Sequence, residues 1–415
     1  MVKRVIKNKI KKDLFLIYVV YFSRAAVYLL LLPLLIRRLD EGWALVAVIL
    51  SFIQISVTAI EFGFGVSATR SVAQNADSTP LLKEIVSSII FLQCMIFLGV
   101  VIVSVPLIYL PMVQNTNHFL LIILIIFFQG VTPLWFLKGV EDLVFLTISE
   151  VLSRIVTLFV VYFFVNSVDD IDIVYLAYFM GAIIPTLASY GYILNKYTYG
   201  IEIPKTFKVT IDRMKGGFLF FSVRMSGMFV GVGGSLILGT AGYMKMAGAF
   251  AIAERILSGI RSILVPAWDV LFPKAVSLLS SNSKEADKFK KKSTIAMIIF
   301  SLLIGIMLFL TASPIVLYFS GETNENIVSI VRIMSIVPLI VSVINGFGLN
   351  YLVTNGRDKS FSFSIFLGAF TYLILLKFLV SYGDAYINLN LLAYSNIISL
   401  ILSMALVLFF LKKAS

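Results

Sequence analysis

Eleven ionisable side chains interrupt stretches of the chain that are otherwise apolar. Seven are basic and four are acidic. They are Arg24, Glu61, Glu150, Arg154, Arg224, Glu254, Arg255, Arg261, Asp269, Arg332 and Lys377. A charge at the centre of a bilayer costs about 2.5–3.5 kcal/mol on insertion scales, so such residues usually face a wet cavity or one another. These positions are therefore the first candidates for chemistry.

Some of these charges have a structural explanation. Glu150 and Arg154 are four residues apart, so on a helix their side chains can form a local ion pair. Glu61 and Asp269 lie near the ends of apolar segments, where they can reach the membrane surface. Lys377 can extend its alkyl stem along apolar surface and keep its ammonium in water.

A surplus of arginines remains after these pairs are set aside. It consists of Arg24, Arg224, Arg255, Arg261 and Arg332, which have too few acids to neutralise them. Guanidinium groups stay charged at physiological pH and bind phosphate oxygens in pairs. We therefore predict a central cavity that binds phosphate or pyrophosphate, with Arg24 and Arg255 as its main residues. The alternative is that the arginines donate to carbonyls of broken helices.

Ion coupling is the second kind of chemistry that the buried charges allow. Glu61, Glu150 and Glu254 are the candidates, because a buried carboxylate can take up a proton. A metal site is not expected, since the chain has one cysteine and one histidine and structural zinc needs four ligands. We expect His118 to be a solvent-exposed loop residue without a function.

No cofactor is predicted from the glycines. Gly231, Gly233, Gly234 and Gly239 lie in one apolar segment, but no strand precedes them and no Lys-Ser or Lys-Thr follows, as a phosphate-binding loop requires. Small residues in a membrane helix favour close packing and bending. We expect these glycines to serve packing.

The composition identifies the solvent of the chain as lipid. Of 415 residues, 60% are hydrophobic and 13% are charged, and the mean hydropathy is +0.99. Soluble domains carry about 25% charged residues. Backbone groups in lipid must be paired internally, so spans are helices or closed barrels. The apolar runs are long and do not alternate with polar residues, which predicts helices and an all-α polytopic membrane protein.

Twelve apolar segments are long enough to cross a bilayer, at about 20 residues each. They cover 14–36, 43–66, 84–110, 119–138, 143–165, 173–194, 218–240, 246–268, 293–319, 327–352, 361–382 and 386–411. With the N-terminus inside, 24 of the 34 Lys and Arg residues fall in cytoplasmic segments and three in external loops. The positive-inside rule therefore places both termini in the cytoplasm. This bias also explains the net charge of +12 without a nucleic-acid partner.

The longest polar connections divide the chain in half. We predict an N-terminal six-helix bundle at 1–195, a cytoplasmic linker at 196–217 and a C-terminal six-helix bundle at 218–415. Two halves with an even number of spans share one orientation, so a repeat between them would be parallel. At an offset of 200, Arg24 aligns with Arg224, Gly42-Trp43 with Gly242-Tyr243, and Glu61 with Arg261.

Several motifs resemble those of one transporter family. Residues 61–70, Glu-Phe-Gly-Phe-Gly-Val-Ser-Ala-Thr-Arg, resemble the D/E-F-G-x-x-x-x-A-T-R signature of the Wzx-type O-antigen and capsule flippases. The preceding Leu39-Asp-Glu-Gly-Trp43 resembles that family's turn between spans 1 and 2, with a disturbed spacing. Pro133-Leu-Trp-Phe-Leu-Lys-Gly139 resembles its span 4 motif, and Phe250-Ala-Ile-Ala-Glu-Arg255 with Pro266 and Phe272-Pro273 its span 8 pattern.

This resemblance implies membership of the multidrug/oligosaccharidyl-lipid/polysaccharide (MOP) exporter superfamily. The implied fold has two six-helix bundles that form a V around a central cavity with alternating access. The implied substrate is an undecaprenyl-pyrophosphate-linked oligosaccharide, flipped from the cytoplasmic to the periplasmic leaflet of the bacterial inner membrane. Cavity arginines in comparable spans agree with Arg24 and Arg255. A polysaccharide polymerase and a chain-length regulator are the implied protein partners.

Two other functions are compatible with a polytopic membrane protein. A multidrug extruder of the same superfamily would carry cationic drugs, so acids should dominate its cavity. A membrane polymerase or ligase of the same glycan would be expected to expose a large periplasmic loop with acid–base residues. The external loops here are short, which favours a transporter over an enzyme.

Overall fold

The computed structural model is helical over nearly all of the chain that it describes. Described residues are 19–20, 22–23, 26–27, 29–105, 116–198, 200, 202, 207–281, 283–381 and 388–413, and none of these forms a strand. Eleven helical segments within these ranges are long and apolar enough to cross a membrane. The remaining predicted span, the first in the chain at 14–36, lies partly outside the described residues. The prediction of an all-α polytopic membrane protein is confirmed.

The helices follow in chain order with short connections. We name them α1 (29–39), α2 (Gly42–Glu61), α3 (Phe64–Gln74), α4 (Thr79–Ser104), α5 (Thr116–Val131), α6 (Leu134–Gly139), α7 (Leu143–Phe164), α8 (Ile171–Ile193), α9 (Phe207–Thr240), α10 (Met244–Ser281), α11 (Ser283–Leu310), α12 (Ala312–Ser320), α13 (Glu325–Met334), α14 (Val337–Phe347), α15 (Asp358–Ser381) and α16 (Leu389–Lys412). π-Helical turns follow α8 at Leu194–Thr198 and α14 at Gly348–Val353.

Four predicted spans are each broken into two helices. Span 2 breaks between α2 and α3, where Phe62 and Gly63 are both left-handed. Span 4 breaks before α6, which follows Pro133. Span 9 breaks at Thr311, between α11 and α12. Span 10 breaks at 335–336, just before Pro338 in the first turn of α14. Proline has no N–H and clashes with the preceding turn, so a continuous helix is unfavourable there.

The chain divides into two compact units. The first comprises Met1–Gly42 and Phe52–Met225, and the second comprises Trp43–Ser51 and Ser226–Ser415. The division therefore passes through α2 and α9. The bundle boundaries predicted from the sequence stay a prediction.

A loop carboxylate in the first unit ties α6 and α7 to the end of α8. Asp142 Oδ2 accepts hydrogen bonds from Tyr192 Oη at 2.6 Å and Lys196 Nζ at 3.0 Å. Burial raises the pKa of Asp142, but the hydrogen bonds from Tyr192 and Lys196 outweigh it and hold the pKa below its ordinary value. The aspartate is thus kept ionised as an anchor between helices.

Arg38 caps the carboxyl end of α7 in the same unit. Its Nη1 lies 2.7 Å from the carbonyl oxygen of Tyr162 and 2.6 Å from that of Val165. The last carbonyls of a helix have no partner within the helix, and a cation there also interacts favourably with the helix dipole.

Replacing Arg38 by methionine should destabilise the first unit. The carbonyls of Tyr162 and Val165 lose a charged donor, for which we expect a cost of about 1–2 kcal/mol. The measurement is the thermal unfolding midpoint of the purified protein in detergent. The unfolding midpoint of Arg38→Lys, which keeps the charge but not the planar donor, should lie between those of the wild type and Arg38→Met. Equal midpoints for all three proteins would contradict the capping role.

Candidate functional site

The second unit contains a buried polar cluster formed by Ser51 of α2, Ser235 of α9, and Glu254 and Arg255 of α10. The Oγ atoms of Ser51 and Ser235 are 3.0 Å apart. Ser235 Oγ donates to Glu254 Oε2 at 2.6 Å, and Arg255 Nη2 donates to Ser51 Oγ at 3.4 Å. Glu254 is 2% and Arg255 4% exposed. The cluster thus joins three helices inside the unit.

The hydrogen bonds of this cluster are incomplete within the described part of the chain. Glu254 Oε1 is buried and has no hydrogen-bond partner there. No carboxylate of those residues lies within 4 Å of the Arg255 guanidinium, whose single recorded bond goes to a neutral hydroxyl. Buried charged groups normally have their bonds satisfied. The arrangement therefore leaves capacity for an anion and for a proton.

Arg261 extends the cationic part of this cluster. It lies two turns after Glu254 on α10 and interacts electrostatically with that carboxylate. Its Nη1 lies only 3.0 Å from the position that a Cβ on Gly231 would occupy. Gly231 therefore leaves room on α9 for the guanidinium of Arg261.

Gly234 and Gly239 of α9 serve close packing, as predicted, whereas Gly233 has room for a Cβ. A Cβ on Gly234 would lie 2.4 Å from the Phe250 ring, and one on Gly239 would lie 2.4 Å from Val48. Both distances are too short for real carbon atoms, so only glycine fits at these two positions.

Gly231→Ala should displace the Arg261 guanidinium without unfolding the protein. The nearest atoms are the far end of a flexible side chain, which can move, whereas Gly233→Ala on the same helix meets nothing nearer than 3.7 Å. We expect transport to fall several-fold in Gly231→Ala and to stay unchanged in Gly233→Ala, at equal membrane levels. Equal transport by the two variants would show that the position of Arg261 does not matter.

Glu61 and Arg224 form an ion pair in the first unit. Arg224 Nη2 lies 2.5 Å from Glu61 Oε2, at the end of α2 and inside α9. The sequence predicts that Arg224 is one of the arginines with too few acids and that Glu61 can reach the membrane surface. The two are instead partners, because the chain folds residues 163 positions apart onto each other.

The ion pair lies beside a backbone contact between α9 and the break in span 2. Gly63 has a φ of +72°, and a Cβ there would lie 2.5 Å from the carbonyl oxygen of Gly217. Phe62 stacks on Phe221 with ring centroids 4.4 Å apart. The Glu-Phe-Gly motif therefore works as a turn that lets α9 approach the end of α2.

The two N-terminal motifs also pack against each other. Thr69 Oγ1 of α3 donates to the carbonyl of Trp135 in α6 at 3.0 Å. A Cβ on Gly139 would lie 2.6 Å from Val72. The segments 61–70 and 133–139 thus form one structural element in which small residues allow helix contact.

Comparison with known proteins agrees with this reading of the motifs. The family described as "Polysaccharide biosynthesis protein" matches residues 10–279, which is more than half of the chain. The chain belongs to this polysaccharide biosynthesis family. Both N-terminal motifs and the Glu254–Arg255–Arg261 segment lie within the matched region.

Two curated relatives cover most of the chain. A protein of Escherichia coli (strain K12) named "Putative O-antigen transporter" is 25% identical over 86% of this chain and 86% of its own length. One of Shigella dysenteriae with the same name is 21% identical over 97% of this chain and 99% of its own.

Solved structures with the same fold are transporters of the MOP superfamily. An inward-facing multidrug resistance MATE transporter matches with a TM-score of 0.74 at 14% identity, over 95% of both chains. A MOP transporter from Pyrococcus furiosus, described as having a binding pocket of reverse polarity, matches with a TM-score of 0.64 at 12% identity, over 95% of both chains. These likenesses establish the MOP-type fold. The protein is a multi-pass membrane protein of the polysaccharide biosynthesis family.

The structure also describes two of the remaining predicted site residues, Glu150 and Arg332. Glu150 is buried and pairs with Arg154 at 3.1 Å, which confirms the predicted local pair. Arg332 is exposed on α13, 5.9 Å above the Phe309 ring. Arg24 lies outside the described residues.

The expectation for His118 was wrong. Its side chain is only 15% exposed, and Nε2 lies 2.5 Å from Asp172 Oδ1. It begins a span rather than lying in an open loop, because Thr116–Val131 is helical.

Ser51 and Ser235 were missed by the sequence analysis. Single serines in apolar helices usually bond to the carbonyl four residues back, and Ser51 also bonds to Ala47 in this way. Their register opposite Glu254 and Arg255 arises only from helix packing, so no sequence signal could have identified them.

Proposed function

We propose that this protein is a flippase that moves an undecaprenyl-pyrophosphate-linked oligosaccharide from the cytoplasmic to the periplasmic leaflet. The observation that carries the proposal is the buried Arg255 beside Arg261, in a chain whose relatives are named as O-antigen transporters. Guanidinium groups without a close carboxylate suit a pyrophosphate, which offers paired oxygens to planar donors. Arg24 is proposed as a further ligand on the sequence argument alone.

Transport of this cargo needs no covalent chemistry by the protein. The pyrophosphate binds to the arginines, the glycan occupies the wet cavity, and the lipid tail stays in the bilayer. Alternating access then exposes the cavity to the other side. The protein lies in the bacterial inner membrane in this proposal, with both termini in the cytoplasm as the Lys and Arg distribution favours.

Glu254 is the carboxylate that we propose for ion coupling. It shares the cluster with both arginines, so protonation of Glu254 removes a negative charge beside them. Proton binding and anion binding at the cluster should therefore favour each other, and this coupling is reciprocal. Glu61 and Glu150 are weaker candidates, because each is engaged by a guanidinium at 2.5 Å and 3.1 Å.

Deletion of the gene tests the proposal. Lipid-linked oligosaccharides are extracted from the deletion strain, and their leaflet is assigned with a membrane-impermeant glycosidase on sealed spheroplasts. Complete repeat units should accumulate in the protected, cytoplasmic leaflet, and the intact gene should restore their exposure.

Two other outcomes would favour the rival functions. Normal surface polysaccharide together with altered resistance to cationic drugs would identify a multidrug extruder. Exposed but unpolymerised repeat units on the periplasmic face would identify a polymerase or ligase. This protein would then itself be the polymerase that the flippase proposal treats as a partner. Accumulation in the cytoplasmic leaflet is expected from the flippase alone.

A further inference from the structure

An apolar groove opens on the second unit at the break in span 10. Its cavity is about 280 Å³, and Leu302, Ile306 and Phe309 of α11 line it. Ile336 of the break and Leu339 of α14 line the opposite side. At roughly 30 Å³ for a water-sized group, this is room for about nine such groups. This volume suits part of one hydrocarbon chain.

The break itself creates the groove. Ser335 donates its backbone N–H to Arg332 O in the last turn of α13, and Pro338 prevents the helix from continuing through this point. Gly305 of α11 forms the floor, since a Cβ there would lie 2.6 Å from the Ser335 carbonyl oxygen. The close approach of Gly305 to Ser335 thus sets the distance between the two helices at the floor of the groove.

A cation, Arg332, lies at the rim of the groove. Arg332 is exposed, and its guanidinium lies 5.9 Å from the centroid of Phe309, a lining residue. None of the described residues places a carboxylate within 4 Å of the Arg332 guanidinium. Phe309, Leu310 and Ile336 around it are themselves 50%, 70% and 45% exposed. An unneutralised cation on a lipid-facing apolar surface needs an anion from outside the protein.

We infer that this groove is a binding site for an anionic phospholipid, with one acyl chain between α11 and the span 10 break and the phosphate at Arg332. Arg332 lies two helical turns after Glu325, the first residue of α13. From this depth, the long side chain of an arginine reaches the headgroup region. The site is separate from the proposed cargo cluster, whose arginines lie on α10. The occupant is a resident lipid of the surrounding bilayer and not the transported lipid.

Lipid titration of the purified full-length protein by native mass spectrometry tests this inference. Phosphatidylglycerol should bind the wild type at least fivefold more tightly than phosphatidylethanolamine. Arg332→Gln should abolish that preference, and Leu302→Trp, which fills the groove, should weaken the binding of both lipids. A photoactivatable acyl chain should label α11 between Leu302 and Leu310.

Matched controls separate this site from general membrane contacts. Lys377 is another exposed cation on a membrane helix, and Leu303 is an exposed neighbour of Leu302 that does not line the groove. Lys377→Gln and Leu303→Trp should behave as the wild type. An unchanged lipid preference in Arg332→Gln, or unchanged affinity in Leu302→Trp, would overturn the inference. So would tighter binding of undecaprenyl phosphate than of phosphatidylglycerol at this site.

Discussion

Arg255→Ala is expected to abolish export of the lipid-linked oligosaccharide. Arg255 is 4% exposed and donates to Ser51 in the buried cluster. In the proposed complex, Arg255 forms a buried charge pair with the pyrophosphate of the cargo. Truncation of one partner of such a pair costs about 2–5 kcal/mol, which corresponds to a loss of roughly 30-fold or more in cargo affinity. The measurement is surface polysaccharide in a deletion strain that expresses the variant, normalised to the amount of protein in the membrane.

Two further variants separate loss of the charge from loss of the fold. Arg255→Met keeps most of the side-chain volume and removes a buried charge that has no carboxylate within 4 Å among the described residues, so we expect little loss of stability. It should reach wild-type membrane levels and still fail to export. Arg255→Lys keeps a charge without paired donors and should restore export only in part. Full export by Arg255→Met would remove this residue from the proposed site.

Gly63→Ala is expected to prevent the first unit from folding correctly. The residue has a φ of +72°, which costs an L-amino acid about 1–2 kcal/mol. The added Cβ would also lie 2.5 Å from the Gly217 carbonyl oxygen and 2.8 Å from the Phe221 nitrogen. These are backbone atoms that cannot rotate away, so α9 must move, at a further cost of about 1–3 kcal/mol.

The measurement for Gly63→Ala is the thermal midpoint and the monodisperse fraction in detergent. Gly99→Ala is the matched control, because nothing lies within 4 Å of a Cβ on this α4 residue. We expect a loss of several degrees or of the folded protein for Gly63→Ala, and no loss for Gly99→Ala. Comparable behaviour of the two variants would mean that the turn tolerates a side chain.

Pairing within a helix was predictable, and pairing between helices was not. Glu150 and Arg154 are neighbours on one helix face, so their ion pair follows from local geometry alone. Glu61 and Arg224 meet only after α9 packs on the end of α2, and their partnership removes one arginine from the predicted surplus. The same holds for Ser51 and Ser235. Their hydrogen bonds with Arg255 and Glu254 depend on the register of three helices.

Breaks in the spans were only partly predictable. Span 4 breaks at Pro133 and span 10 just before Pro338, whereas Pro185 and Pro266 lie inside continuous helices. The break in span 2 contains no proline and arises at Phe62 and Gly63. Whether a helix bends at a proline depends on neighbours that can satisfy the freed backbone groups, and those neighbours are set by tertiary packing.

The sequence by itself determined the solvent, the secondary structure and the family of this protein. Long apolar runs with few charges can only be membrane helices, because lipid offers the backbone no hydrogen bonds. Only the tertiary structure decided which charges on different helices neutralise one another and which remain for a ligand. The reason is that a charge acts on whatever lies within a few ångströms of it, and those neighbours come from distant parts of the chain.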